Sequence, residues 1–415
     1  MRIIVVGGGA AGLTAAAFAA KAGAQVTVLE KNERPARKVM ITGKGRCNVT
    51  NRCSVPELIA HVTGNGKFLY SAFTEFSSED TIRYFEELGV ALKTERGNRV
   101  FPVSDRAVDI VDAMVRSARS AGVKIRHAEV AQVLAQNGKI TGVRLSDNTV
   151  LAADRVLIAT GGVSYPTTGS TGDGFRFAAE LGHTVEPLRP SLVPLCIREH
   201  FCEQMMGLSL KNVRLELLEQ GRKKPLFSGL GEMLFTHFGV SGPLVLSASA
   251  YLRSPGEKSY LLRLNLKPAL SPEQLDDRLC RDFSAVSNRD FGNSLGALLP
   301  QKMIPVMVRL SGIDREQKVH QISREQRRRL CEILQGLPMH IDGTRPMEEA
   351  IVTAGGVCLK EVSSKTMESR LVRGLYFAGE VLDLDACTGG FNLQIAFSTA
   401  VAAARGMTRP DSEQG

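Results

Sequence analysis

Residues 2 to 30 constrain the fold more than any other part of the chain. RIIVV is a short, apolar, β-branched run that reads as a buried parallel strand. Gly7, Gly9 and Gly12 follow in G-x-G-x-x-G spacing with Ala10 and Ala11 between them, and an Ala-rich helix runs to Gly23. A second strand, Gln25 to Leu29, ends at Glu30. This is the pattern of a dinucleotide site. Gly7 makes the tight turn, Gly9 lets a pyrophosphate reach the backbone, and Gly12 packs helix against strand. The helix N-terminus offers N–H donors and positive potential to the phosphates, and Glu30 can bond the ribose hydroxyls of an adenosine. The glycine spacing alone is a weak signal. The strand before it, the helix behind it and the acid on the next strand make it specific.

At 415 residues the chain exceeds one ordinary core and has room for two or three domains. Its 43% hydrophobic and 23% charged residues are the balance of a soluble globular protein, not of a disordered one. Eight cysteines are ordinary intracellular usage, too few for a disulfide scaffold. A net charge of +9 favours anionic partners: a nucleotide, an acidic substrate or nucleic acid. Residues 3 to 20 are uncharged between Arg2 and Lys21 and imitate a signal peptide, but three consecutive glycines interrupt them. No other stretch is long enough to span a bilayer, so a cytoplasmic location without a membrane partner is expected. The oligomeric state is not legible.

Later segments decide between FAD and NAD. KNERPARKVMITGKGRCNVTN, after Glu30, is unlike the short connections of nicotinamide dehydrogenases. It could wrap a pyrophosphate, reach a reactive ring, or form a solvated basic loop; its candidate contacts are Lys31, Arg37, Lys38, Gly43, Arg46, Cys47 and Asn48. Residues 153 to 161, ADRVLIATG, form an apolar strand running into Thr160 and Gly161, similar to the second fingerprint of two-fingerprint FAD proteins. GLYFAGEVLD places a strand, Leu375 to Ala378, directly before Gly379 and Glu380, where FAD folds put a carboxylate on the ribityl chain. Finally, CTGGFNLQIAFSTAVAAA opens an apolar helix on two glycines. Its N-terminus at Gly390, Phe391, Asn392 and Leu393, aimed at the flavin N1 and C2-oxygen edge, would stabilise the negative charge of the reduced ring. FAD is the expected cofactor.

GGGAAGL, RKVMITGKGRCNVTN, ATGGVSYPTTGSTGDG, LFTHFGVSGP, TAGGV and LYFAGEVLDLDACTGGFNLQIAF, in this order, resemble the BaiN-like (YhiN-like) family of FAD-dependent oxidoreductases over residues 1 to 405. The resemblance implies an α/β protein with a Rossmann-type, two-fingerprint FAD domain, a β-rich insert domain and a small helical insert. It places Val130 near the adenine. It further implies an NAD(P)H-dependent flavin reductase or dehydrogenase, an aminoacetone-type oxidase, or a reductase of unsaturated steroid or bile-acid intermediates.

The residues divide the chain in the same way. The FAD domain is expected at 1–189 and 351–415, the β-rich insert at 190–270 with a return at 338–350, and the helical insert at 271–337. Ser77 to Asp80 opens a helix that closes at Gly89, and Ser104 or Asp105 opens another that closes at Gly122. The stretches Val123 to Leu134 and Lys139 to Leu151, joined at Asn137-Gly138, read as a β-meander. Ser271 with Gln274, and Ser323 with Gln326, are capping boxes. The run Arg324, Arg327, Arg328, Arg329 lacks neighbouring aromatic residues and reads as a solvated helix face, which disfavours nucleic acid as a partner.

There is no second nucleotide fold and no C-x-x-C, and the seven histidines show no metal-ligand spacing, so no metal site is expected. The expected mechanism is ping-pong hydride transfer. NAD(P)H docks transiently, reduces the flavin and leaves, and a small enone, quinone or dioxygen takes the electrons. Candidate proton donors are Tyr165, His237 and Cys387, with Asp385 as an orienting carboxylate; each also has an ordinary reading as anchor, strand-end residue or packing residue. The reductase of an unsaturated or carbonyl compound leads. Two alternatives stay open: an amine oxidase using dioxygen, and an RNA-associated flavoprotein.

Overall fold

In the computed structural model, which describes residues 1–253 and 258–409, the opening apolar run becomes the middle strand of a parallel sheet. Strand β1 (Arg2–Val6), helix α1 (Ala10–Lys21) and strand β2 (Gln25–Glu30) form one βαβ unit. The sheet has five strands in the order Leu375–Phe377, Arg155–Ile158, β1, β2, Lys124–His127. All four pairings are parallel. A strand buried on both faces needs apolar residues at every position, and β1 and Arg155–Ile158 are buried almost throughout. The chain divides into two units, Met1–Ser191 with Met347–Gly415, and Leu192–Pro346. The observed fold is the expected α/β Rossmann-type FAD-binding fold with β-rich and helical inserted parts.

In the first unit α1 packs against the C-terminal helix Phe391–Thr408. That helix is buried along nearly its whole length, so its polar residues need internal partners. Gln394 accepts from the hydroxyls of Thr50 (2.6 Å) and Thr81 (2.9 Å) and donates to the Phe76 carbonyl (3.1 Å). The meander spans Val130–Gln136, Lys139–Leu145 and Val150–Ala152. Its first turn is a two-residue loop in which Asn137 and Gly138 both have positive φ (51° and 70°), as a hairpin of this twist requires. The stretch just before it differs from expectation: Lys124–His127 leaves the meander and pairs with β2 as the edge of the parallel sheet. The helix Ala107–Ser120 also starts later than expected, with Arg106 at its N-cap. Ser104 instead bonds the Asp109 carboxylate (2.5 Å), and Asp105 is claimed by Lys93 and Arg46. The helix read from Ser77 forms, with Ser77 and Asp80 making a capping box at its start.

The second unit is built on a closed barrel of six strands in the order Leu195–Ile197, Gly239–Ser241, Phe227–Thr236, Ser209–Glu219, Tyr260–Asn265, Leu337–Thr344. Leu210, Leu215, Leu217, Met233, Phe235, Leu262 and Leu264 alternate inward and join a core shared with the helices Pro272–Ser284, Ile304–Ser311 and Arg324–Gly336. Ser271 and Ser323 cap their helices through the boxes read in the sequence. Between these helices the chain runs through short 3-10 turns, so 271–336 is less continuously helical than expected. No helix among the described residues is long and apolar enough to cross a membrane.

Candidate cofactor site

The turn from β1 into α1 is tight enough that two of its glycines admit no side chain. Gly7 has φ +100°, and a Cβ there would stand 2.6 Å from the Ala159 carbonyl oxygen on the neighbouring strand. A Cβ on Gly12 would lie 1.9 Å from the Gly7 carbonyl oxygen. Gly9 is the opposite case, with nothing within 4 Å of its Cβ position. A pyrophosphate can therefore approach Gly9, and the first-turn N–H groups of Ala10, Ala11 and Gly12 have no partner within the helix. Glu30 is buried and accepts from the Gly8 N–H (2.7 Å), the Asn32 N–H (2.9 Å) and the Asn32 side-chain amide (2.8 Å). A carboxylate offers about four acceptor positions, so Glu30 locks the glycine turn and keeps capacity for a ribose hydroxyl. Val130 is buried at the start of the meander, a short step along the chain from Ala128, whose N–H bonds the Glu30 carbonyl (2.9 Å).

The basic segment meets carboxylates from distant parts of the chain. Lys31 pairs with Asp173 (2.6 Å), and Lys38 pairs with Glu380 (2.6 Å) while also bonding Ser164 (2.7 Å). Arg37 reaches the Asn32 side-chain oxygen (3.3 Å). Arg46 departs from its expected role: its guanidinium bonds Glu95 and Asp105, each at 2.5 Å, and lies 4.2 Å from the Phe101 ring centroid. Two carboxylates neutralise it, which removes the reason to place it on a pyrophosphate. Gly43, Lys44, Gly45 and Cys47 all have positive φ, which folds the segment back sharply. Cys47 is fully buried, and burial pushes its thiol up to about 12. A thiol with so little thiolate is a packing residue rather than a nucleophile.

Other parts of the chain close on this segment. Gly379 has φ +75°, and its Cβ position lies 3.0 Å from the Ala11 methyl, which brings the GEVLD turn against α1. Glu380 accepts from Lys38, from the Ser164 hydroxyl (3.0 Å) and from the Thr353 N–H (2.9 Å). The Thr353 hydroxyl accepts from the N–H groups of Val163 (2.9 Å) and Ser164 (3.1 Å), tying the loop after Thr160 and Gly161 to Glu380. TAGGV gave Thr353 no task from sequence alone; a Thr separated by one residue from the Gly355-Gly356 pair was the available signal. Gly390 (φ +99°) packs on Thr50, where a Cβ would meet the carbonyl oxygen at 2.4 Å, and Asn51 donates to the Gly389 carbonyl (3.1 Å). The N-terminus of the C-terminal helix, with the backbone N–H groups of Phe391, Asn392 and Leu393, thus lies against the end of the basic segment. The Asn392 side chain is occupied in bracketing Ala386, accepting from its N–H (3.0 Å) and donating to its carbonyl (2.8 Å). Phe391 stacks on His61 at 4.2 Å. Asp385 is buried, accepts from Ser191 (2.6 Å) and stands 3.7 Å from Arg189.

These pieces fit FAD on two observations besides the glycine turn. Asn48 Oδ1 and Thr160 Oγ1 are buried, with no hydrogen-bond partner among the described residues. A buried polar atom left unpaired is costly, and a ligand polar group in the cradle satisfies it. Of the expected proton donors, Tyr165 is half-buried at φ +51° before Pro166, and Cys387 is buried with its N–H on the His61 carbonyl (3.0 Å). Both belong to the unit that carries the glycine turn. His237 belongs to the barrel unit, where it is exposed in the turn between Phe227–Thr236 and Gly239–Ser241 rather than at a strand end.

Full-length relatives bearing two different names match the chain. The chain is 33% identical over 404 residues to a ribosomal RNA dihydrouridine synthase of Escherichia coli K12, covering 97% of this chain and 96% of the relative. It is 31% identical over 408 residues to a 3-dehydro-bile acid delta(4,6)-reductase of Clostridium scindens, covering 97% and 98%. Among solved structures, the 3-ketosteroid-Δ4-(5α)-dehydrogenase of Rhodococcus jostii RHA1 matches with a TM-score of 0.52 at 14% identity, over 98% of this chain and 96% of that one, a likeness of fold. The family model described as the HI0933-like protein Rossmann domain matches residues 1–406. The glycine turn, the segments closing on it and these full-length matches agree: the chain belongs to the HI0933-like family of Rossmann-fold FAD-dependent oxidoreductases.

Proposed function

We propose that the protein takes hydride from NAD(P)H and reduces a carbon–carbon double bond conjugated to a carbonyl, with a uracil base of ribosomal RNA as its acceptor. The observation that carries this reading is the cradle itself, in which the Gly9 opening, the unpaired Asn48 and Thr160 oxygens and the helix N-terminus at Phe391 occur in one unit. Bound FAD supplies two-electron hydride chemistry, which no side chain provides. The chain's own residues bind and orient. The N–H groups of Ala10 to Gly12 hold the pyrophosphate, Glu30 the ribose, Asn48 and Thr160 the ring or its linker, and Glu380, fixed by Lys38 and Thr353, the ribityl chain. The N–H groups of Phe391 to Leu393 favour negative charge at the ring edge. Tyr165 and Cys387, in the same unit as the cradle, are the candidates to deliver the proton, with Asp385 orienting.

Two of the full-length relatives support the acceptor class. One is named for making dihydrouridine and the other for reducing a delta(4,6) bile acid, and both products arise by saturating a double bond conjugated to a ring carbonyl. Charge favours RNA between them. Residues 192–346 hold 22 basic against 16 acidic side chains, a net +6 of the chain's +9. This brings forward a partner that the sequence disfavoured on the Arg324–Arg329 helix alone.

An anaerobic titration with NADH and then NADPH tests the reading. One of them is expected to bleach the bound flavin stoichiometrically. Unmodified ribosomal RNA should then restore the yellow colour, with a 3-oxo-4,6-diene bile acid and 2-cyclohexen-1-one as the comparison acceptors. A preparation that stays colourless with added FAD overturns the cofactor assignment. A yellow protein that neither nicotinamide bleaches, or that passes electrons to none of the three acceptors, overturns the reductase reading.

A further inference from the structure

We infer that Arg189 is a catalytic residue that binds the carbonyl oxygen of the acceptor and holds the negative charge that forms there. The inference rests on the reading of the protein as a reductase of conjugated double bonds.

Three features of the first unit single out this side chain. The strand Val185–Ser191 pairs with Val352–Val357, and its register breaks between Glu186 and Arg189. A bulge of this kind turns a side chain away from the direction regular alternation would give it. It is enforced by Gly355 at φ +84°, where a Cβ would strike the Pro187 carbonyl oxygen at 2.2 Å. Arg189 is thereby brought to the buried carboxylate of Asp385, which Ser191 of the same strand also grips at 2.6 Å. A carboxylate anchored in this way is a fixed support for a guanidinium.

The second feature is what the anchor leaves over. Lys31, Lys38 and Arg46 are each held by a carboxylate at 2.6 Å or closer. Arg189 stands 3.7 Å from Asp385, with 27% of its side chain accessible. A guanidinium carries five N–H donors in a rigid fork, so one loosely held edge leaves others for a ligand.

Position is the third. Arg189 pairs across the ribbon with Ala354, and Pro190 pairs with Thr353, whose N–H holds Glu380. On the other side, Asp385 directly precedes Ala386, the residue bracketed by Asn392 in the first turn of the C-terminal helix. Arg189 therefore stands between two pieces of the cradle, the Glu380 turn and the helix N-terminus.

The chemistry calls for such a cation. A hydride equivalent, drawn from NAD(P)H, forms a new C–H bond at the carbon β to the carbonyl. The π pair of the double bond moves toward the α carbon and the carbonyl oxygen, giving an enolate, and a proton from water or a side chain then adds at the α carbon. One double bond is reduced, one nicotinamide is oxidised and one proton is consumed. The charge appears on the oxygen only as the hydride arrives, so a donor placed there stabilises the transition state more than the bound acceptor. Arginine stays charged throughout the working pH range.

The test uses the full-length, FAD-loaded protein and whichever of the three acceptors wild type reduces. In Arg189→Ala and Arg189→Gln, bleaching by nicotinamide should stay within about 2-fold of wild type while reoxidation by the acceptor slows ~100-fold or more, the loss that follows removal of a single oxyanion donor. Acceptor affinity, read from its perturbation of the oxidised flavin spectrum, should change less than ~10-fold, because the interaction belongs to the transition state. Added guanidinium ion should restore part of the rate to Arg189→Ala and none to Arg189→Gln. Should Arg189→Ala not fold, Arg189→Lys carries the comparison with a loss of about 10-fold, since a point charge replaces the fork. Reoxidation within about 3-fold of wild type, or flavin binding and bleaching that fall in step with it, overturns the assignment. An inactive wild type is a different result, and it overturns the reductase reading itself.

Discussion

His183 shows how burial sets a single proton in this protein. Its ring is enclosed, with Nε2 2.8 Å from the Ser369 hydroxyl and Nδ1 3.1 Å from the Glu361 carboxylate. Ser369 Oγ already accepts from the N–H groups of Leu371 (3.0 Å) and Val372 (2.8 Å), so its own proton points at Nε2, and Nδ1–H donates to Glu361. Burial holds the imidazole below its ordinary value of 6.5, although Glu361 acts the other way. The unfolded chain therefore takes up this proton more readily than the folded one. Stability from neutral His183 is complete above pH 6.5 and is lost as pH falls from there toward the folded value. Thermal unfolding of wild type should thus shift to lower temperature as pH drops below 6.5, and His183→Gln should flatten that part of the profile. Identical slopes in the two proteins would assign the acid sensitivity to other groups. At this scale the sequence was legible where a residue's partners are near in the chain. Glu30 locks a turn 22 positions away, within one βαβ unit. Arg46 was not legible, because the carboxylates that claim it lie 49 and 59 positions on and arrive with separate elements.

Packing of α1 on β1 is decided by one missing methyl group. Gly12→Ala would place a Cβ 1.9 Å from the Gly7 carbonyl oxygen, a backbone atom that cannot move aside without opening the turn. We expect it to destabilise the protein by roughly 2–3 kcal/mol, as overpacking does, and to abolish flavin retention. Gly9→Ala should behave differently, because its Cβ meets nothing within 4 Å. That variant should purify flavin-poor, the methyl occupying the space of the pyrophosphate, and yet melt at the same temperature as wild type stripped of flavin. The flavin-to-protein absorbance ratio and the melting temperature separate the two outcomes. If Gly9→Ala retains a full complement of flavin, the pyrophosphate does not lie there. Although the capping box of Ser54 and Glu57 went unread, helix starts were legible at Ser77, Ser271 and Ser323, because the box there is satisfied within four residues. The start near residue 107 was not, because Lys93 and Arg46 draw Asp105 away from a capping role.

Along the chain, a second folding unit, residues 192–346, interrupts the sequence of the first. Its two ends meet in the barrel, where Leu195–Ile197 pairs with Leu337–Thr344, and the barrel strands share one apolar core with their helices. A segment with adjacent ends and its own core has what a separate domain needs. Residues 192–346 produced alone should therefore unfold cooperatively in urea, and the intact protein should show two transitions, of which added FAD raises only one. A fragment without a cooperative transition would show that the barrel depends on the rest of the chain. What the sequence determined by itself is the nucleotide-binding βαβ turn, the order of the segments that form the cofactor cradle and the capped helix starts, because all of these are written in residues close together along the chain. Tertiary structure alone decided that Lys124–His127 joins the parallel sheet, that six strands close into a barrel, that Thr353 secures Glu380, and that Lys31, Lys38 and Arg46 are held closely by carboxylates while Arg189 is held loosely. Strand periodicity marks a strand without naming its neighbour, and a charge in a sequence does not reveal which distant carboxylate the fold will bring to it.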